Sequence, residues 1–294
     1  MAALREAEGG AGLDLGEVLG PSSDIATRRR LSGWRRVAVG LVFPVVLIAL
    51  WSVLSATGVL SERLLPAPLD VLKSGRDFLF ASKRSAVPGV VPFRGAALEH
   101  IRASVGRWAV GYAIALCVGL PLGLALGLSR WTSAAVDPLF QALRSVPITA
   151  WLPIALVWFG LGSGAARFLI FVGAVSPIVV ATADSAARVP RQLVDTARML
   201  GTRQRDLARK VYIPSALPGI VTGLRLGLTL GWTTVIVAEL TGSSRGLGAM
   251  MFSAREVSRL DQIIVGMVAF AVIGLTGDLL LRAATRPLTR WADA

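Results

Sequence analysis

The chain is poor in the residues on which most protein chemistry depends. Its 294 residues include one cysteine, Cys117, one histidine, His100, and three lysines, Lys73, Lys83 and Lys210. A lone cysteine closes no internal disulfide, and inside an apolar run it serves as a small buried hydrophobic side chain. His100 has only Glu99 as an adjacent acid, with no second His or Cys at metal-ligand spacing, so it reads as a polar interface residue. The lysines follow Leu72, Ser82 and Arg209, so none completes the Gly-Lys-Ser/Thr of a phosphate-cradling loop. No catalytic residue, no metal site and no bound cofactor are expected. The first 27 residues also lack the apolar core of a secretory signal and read as a cytoplasmic tail.

What the chain has in abundance is apolar sequence. Apolar residues make up 54% of it, and the mean hydropathy is +0.64. Uncharged runs cover 37–61, 108–129 and 145–166, each long enough for a hydrocarbon core that needs about 20 helical residues. Three further runs, 168–183, 211–238 and 262–277, carry or adjoin Asp184, Arg225 and Asp278. Core helices of a soluble protein would be shorter than this. The expectation is an all-α integral membrane protein with six transmembrane helices, near 37–57, 102–128, 146–162, 165–187, 215–240 and 262–284.

The net charge of +13 would suggest nucleic acid in a soluble chain, but its placement points to membrane lipid instead. Arg28, Arg29, Arg30, Arg35 and Arg36 precede the first run, and Arg282, Arg286 and Arg290 close the last. By the positive-inside rule both termini are cytoplasmic, as an even number of spans requires. The basic segment 188–210 then lies inside as well. The chain divides into a flexible tail, 1–36; the first span with an outer connection, 37–100; a core of five spans, 101–285; and a second tail, 286–294. Glycines at 106, 111, 119, 123 and 127 place the second span at the centre of a bundle, because small residues let membrane helices approach closely. Pro66 and Pro68 introduce a short amphipathic helix bearing Leu69, Leu72, Phe78 and Leu79. Around Asp137 and Arg144 an amphipathic approach segment leads into the third span, and Pro177 implies a kink in the fourth.

The segment 188–214 interrupts this apolar sequence with polar and basic residues. Leu193, Ala197 and Leu200 recur at helical spacing, so one short helix with an apolar ridge is expected. Gly201 suits a left-handed turn, Thr202 can cap a second short helix, and Pro214 and Pro218 stop that helix before the fifth span. An acid, two small residues, three positions, a glycine, nine positions, then aliphatic-any-aliphatic-proline is the spacing of Asp195, Thr196, Ala197, Gly201, Val211, Ile213 and Pro214. This resembles the EAA loop of ABC-importer permeases, with Asp in place of Glu and Thr in place of the first Ala. GLSRW (127–131), AWLPIALVWFGLG (150–162), GIVTGLRLGLTLGWTTVIVAEL (219–240) and SSRGLG (243–248) are similar to the sulfonate, nitrate and taurine subgroup of these permeases.

The resemblance implies a type I importer fold with cytoplasmic coupling helices, in the bacterial inner membrane. It implies a homodimer, two separate ABC ATPase subunits that bind ATP and Mg, and a solute-binding protein on the outer face. Asp195, Thr196, Ala197, Arg198, Met199, Leu200, Gly201, Ile213 and Pro214 would form the ATPase-coupling loop. Ionisable groups are costly in lipid, which makes Arg225 and Glu239 candidates for the substrate path, together with Trp151, Trp158, Trp232 and Thr233. Arg225 could meet an anion or pair with a neighbouring acid, while Glu239 suits a helix-terminal or gate contact. A permease for bicarbonate, a thiamine-pyrimidine precursor or an aromatic acid, and an ion-coupled secondary transporter, are the competing readings.

Overall fold

The structure, a computed structural model, describes residues 33–57, 65–82, 91–240 and 242–290, with side chains from 42 onward apart from Gln204 and Arg205. The chain separates into a short unit ending at Val53 and a main unit from Leu54 onward. Helix α1 (Gly33–Ala56) accounts for the described part of the first and continues into the start of the second. The expected tail 1–36 falls outside the described residues up to 32, and Gly33 to Arg36 are already helical.

In the main unit α2 (Pro68–Phe80) starts with Pro68 in its first turn, where the missing N–H removes nothing from the helix. Its inner face is Ser74 and Phe78, the latter stacked on Phe93 at 5.0 Å. Leu69, Leu72 and Leu79 face outward, so the expected apolar face splits, with only Phe78 in the core. Then follow α3 (Ala97–Leu128), α4 (Arg130–Arg144), a 3₁₀ turn at Ile148–Trp151, α5 (Leu152–Phe159) and α6 (Ser163–Ala187). Ser129 caps α4 by accepting from the Thr132 N–H at 3.2 Å.

The centre of the unit is α6, held between α3 and α9 (Ile213–Glu239). Glycines cause that closeness. A β-carbon placed on Gly111 would lie 2.8 Å from Ile170 and from the Arg167 carbonyl, and one on Gly123 would lie 2.6 Å from Thr182. On the opposite side Gly223 and Gly227 press against Ala181 and Ile178, where an added β-carbon would sit at 2.7 Å. Both neighbours thus approach α6 to a distance that only glycine permits. Leu169, Ile170, Ala174 and Ile178 are fully buried between them. The expected glycine packing of the second span holds, except at Gly106, where nothing lies within 4 Å of an added β-carbon, but the central helix is α6 and the second span is its neighbour.

Three expectations need correction. The third span is no straight helix: α4 and the 148–159 segment meet at a 92° elbow. Pro147 begins the turn, and Gly160 (φ +69°) and Gly162 (φ +121°) end the short α5. Among the described residues four helices are long and apolar enough to cross a membrane, Ala97–Leu128, Ser163–Ala187, Ala208–Glu239 and Leu260–Thr289, or five if the elbow counts as one span. The expected first span is represented among the described residues by the shorter apolar stretch Val42–Ala56, so the count of six is not confirmed there. The final helix, α11 (Leu260–Thr289), passes the expected boundary at 284. Cys117 is exposed, lying on the side of α3 away from α6 beside Ile114 and Val118.

Candidate functional site

The polar segment after α6 forms one short helix, α7 (Arg191–Met199), and ends in a tight turn. Gly201 has φ +79°, its N–H donates to the Arg198 carbonyl at 2.9 Å, and the Thr202 N–H donates to the Ala197 carbonyl at 3.0 Å. This pair of bonds is a Schellman motif, which requires a left-handed residue at Gly201. The expected apolar ridge divides in two. Val194 and Ala197 pack inward with Val189, Leu207, Ala216 and Ile220, while Leu193, Met199 and Leu200 project outward. Met199 and Leu200 are 87% and 81% exposed, an unusual state for two adjacent large apolar side chains. Asp195 and Thr196 are exposed on the same helix, with Asp195 3.5 Å from Arg198.

The second short helix is not separate, and Thr202 does not cap it. Helix α8 (Gln204–Leu207) starts after Arg203 and runs through a π-helical turn at Ala208–Tyr212 straight into α9. Pro214 and Pro218 therefore lie inside continuous helix instead of stopping it. Pro214 would clash with the carbonyl four residues back in regular α geometry. The widened turn before it, closed by the Ile213 N–H donating to the Ala208 carbonyl, relieves that clash.

At the far end of α9 a polar network is buried. Glu239, with no exposed side chain, accepts from Arg107 Nη1 and Ser104 Oγ, both at 2.7 Å, and from the Gly248 N–H at 2.8 Å. Arg107 also donates to the Arg245 carbonyl at 2.7 Å and to Ser163 at 3.3 Å. His100 accepts from the Gly246 N–H at 3.0 Å, and Ser104 accepts from the Leu247 N–H at 2.9 Å. Every group here pins the 242–248 loop and the start of α10 (Leu247–Glu256) to α3. His100 is thus a buried interface residue, as its lack of chemical neighbours suggests. Sequence alone did not single out Arg107, since its partner lies 132 positions away.

The six candidates for a path are not gathered in one place. Arg225 pairs with Asp278 at 3.2 Å, and Asp278 also holds Arg282 at 2.7 Å, so Arg225 binds a neighbouring acid. Trp232 is buried, stacked on Phe270 at 4.5 Å with its indole N–H donating to the Phe270 carbonyl at 3.0 Å. Trp151 packs edge-on against Phe168, whereas Trp158 is 62% exposed. Thr233 is exposed in line with Leu226, Thr229 and Leu230 along α9.

That face borders a cavity the candidates did not predict. One space of about 250 Å³ lies between the end of α3, α4 and α6, lined by Asp137, Gln141 and Arg144 among others. A second, of about 550 Å³, lies between the elbow, α6 and α9, where Ile148, Gly173, Ser176, Leu226 and Leu230 form walls. Arg144, Val180 and Asp184 line both, so the two adjoin there. Asp184 stands 3.5 Å from Arg188, while Arg144 is exposed and forms no ion pair among the described residues. The sequence signal was present, as Asp137 and Arg144 fall seven apart on one amphipathic helix, but the elbow that folds this helix toward α9 was not visible.

Comparison with known proteins supplies the context. Residues 119–292 match the family model described as the binding-protein-dependent transport system inner membrane component. SsuC of Bacillus subtilis, named for aliphatic sulfonates transport, is 33% identical over 266 residues, covering 90% of this chain and 91% of that protein. The taurine transport system permease protein TauC of Escherichia coli is 33% identical, with 87% and 90% covered. The bicarbonate transport system permease protein CmpB of Synechococcus elongatus is also 33% identical, with 84% and 89% covered. Among solved structures, an inward-facing MetNI methionine ABC transporter chain superposes with a TM-score of 0.52 at 22% identity, covering 63% of this chain and 94% of that one, a likeness of fold. With several apolar helices around a glycine-packed centre and a family match over more than half its length, this multi-pass chain belongs to the inner membrane components of binding-protein-dependent transport systems.

Proposed function

We propose that the chain is the permease subunit of an ATP-driven importer for a small anion, with an aliphatic sulfonate or taurine as the leading substrate class. Two ATPase partners would hold ATP and Mg, a binding protein would deliver the solute at the outer face, and a second copy of this chain would complete the pathway. Both termini and α7 then face the cytoplasm. This chain supplies no ATPase site of its own.

One observation carries the ATPase half of this reading. The Gly201 turn presents Leu193, Met199 and Leu200 outward beside Asp195, on a helix anchored from within by Val194. Such an apolar ridge on a short amphipathic helix fits the groove of a partner protein. The substrate half rests on relatives named for sulfonates and taurine; the relative named for bicarbonate supports a second reading in the same class. Reconstitution tests both. The chain co-expressed with the ATPase and binding protein should recover an ATPase subunit in equal amount and drive ATP-dependent taurine uptake into vesicles. Uptake by this chain alone, driven by an ion gradient, would refute the reading.

A further inference from the structure

The larger cavity borders α6 at Pro177, inside the continuous helix. Pro177 has no N–H, so the Gly173 carbonyl four residues earlier receives no donor from that position. Ser176, beside it on the same cavity wall, makes no hydrogen bond to any described residue. At membrane depth, unpaired backbone is tolerated where it lines a polar space. The remaining walls include the apolar Val172, Leu226 and Leu230, so these two acceptors are local polar features. Arg144 adds a positive charge to the same lining. Ser176 precedes Val180 by four residues, so roughly 6 Å of helix separates the hydroxyl from the level that Arg144 shares with Val180.

We propose that this cavity is a station for the transported solute and that it takes a small aminosulfonate, with the sulfonate on Arg144 and the ammonium on the Gly173 carbonyl and Ser176 hydroxyl. This rests on the importer reading above and narrows its substrate class. A guanidinium fork matches two sulfonate oxygens. A bare inorganic anion would use Arg144 alone and leave the acceptors unpaired. The charged lining is also balanced: Arg144 shares it with Asp184, which Arg188 engages at 3.5 Å, and Asp137 stands in the adjoining space. A solute carrying both charges suits that balance better than one carrying a single negative charge.

The test uses the assembled transporter in vesicles with saturating binding protein, in a Cys117→Ser background. In Arg144→Cys, taurine uptake should fall roughly tenfold or more, the loss expected for a charge-assisted hydrogen bond. Treating the assembled variant with a cationic methanethiosulfonate should restore most of the rate, and an anionic one should not. Equal uptake after the two reagents, or an undiminished rate without them, overturns the assignment. Ser176→Ala should slow taurine more than ethanesulfonate, which has no ammonium; equal slowing overturns the role given to Ser176 and Gly173. Failure of the wild-type complex to carry either sulfonate overturns the proposed function and this assignment with it. Taurine uptake that is indifferent to residue 144 overturns this assignment alone.

Discussion

Arg107 and Glu239 form an ion pair at 2.7 Å between α3 and the end of α9, with side chains 10% and 0% exposed. Both carboxylate oxygens of Glu239 are engaged, one by Arg107 and Ser104 and the other by the Gly248 N–H. The pair therefore ties two long helices and the 242–248 loop together in one place.

Removing one partner should be far worse than removing both. Glu239→Ala leaves a buried guanidinium uncompensated, a loss of about 3 to 5 kcal/mol. Arg107→Leu combined with Glu239→Leu should recover part of that loss, because no charge is then stranded. Thermal unfolding of the four corners of this double-mutant cycle in detergent checks it; additive losses would show that the pair is not coupled.

Substitutions along the α3–α6 contact should depend sharply on position. Gly123→Ala puts a methyl 2.6 Å from Thr182 and 2.8 Å from the Val179 carbonyl, so the helices must separate. Overpacking of this kind costs about 1 to 3 kcal/mol. Gly106→Ala on the same helix meets nothing within 4 Å and should be neutral or stabilising by up to about 1 kcal/mol. The melting temperature should fall for Gly123→Ala and hold or rise for Gly106→Ala.

Gly201 separates conformation from packing. Its β-carbon position is open, so substitution acts only through the φ of +79°. Left-handed geometry costs about 1 to 2 kcal/mol for most residues and less for Asn. Recovery of the ATPase subunit in pull-downs should follow Gly, then Asn, then Ala, then Val, while melting of the helical bundle changes little. Normal recovery with Val would remove the turn from the docking surface.

The Arg225–Asp278–Arg282 cluster should respond asymmetrically. Arg225→Gln leaves Asp278 paired with Arg282 at 2.7 Å, whereas Asp278→Asn leaves two arginines on adjoining helices without their shared acid. Arg225 is partly exposed, so its own pair contributes little, on the order of 1 kcal/mol or less. Unfolding in lipid nanodiscs should show the Asp278 variant to be the weaker one.

The sequence made some of this architecture legible and concealed the rest for identifiable reasons. Long apolar runs with few charges mark α3, α6, α9 and α11, because burial in lipid demands length and tolerates few charges. Gly201 was readable because a helix end followed by glycine has a fixed geometry. The 92° elbow was not, since residues 145–166 are uncharged and largely apolar and periodicity cannot tell one straight helix from a 3₁₀ turn and a short helix. The fusion of α8 with α9 was hidden by Pro214, which ordinarily signals a stop and here sits behind a π-helical turn. Glu239 stood out on its own, but Arg107 could be joined to it only in three dimensions. Arg144 and Asp184 were visible as charges at the edges of apolar runs; the cavity they share depends on the elbow.

The close seams on both sides of α6 carry a mechanical consequence. Three helices that meet without slack along their shared faces, and that are bolted at one end by Arg107 and Glu239, act as a single strut. The elbow is different: its backbone leaves regular helix at both ends, at Pro147 and at the two positive-φ glycines at 160 and 162. The size of the space beside Arg144 is therefore set by the angle of the elbow and not by the strut.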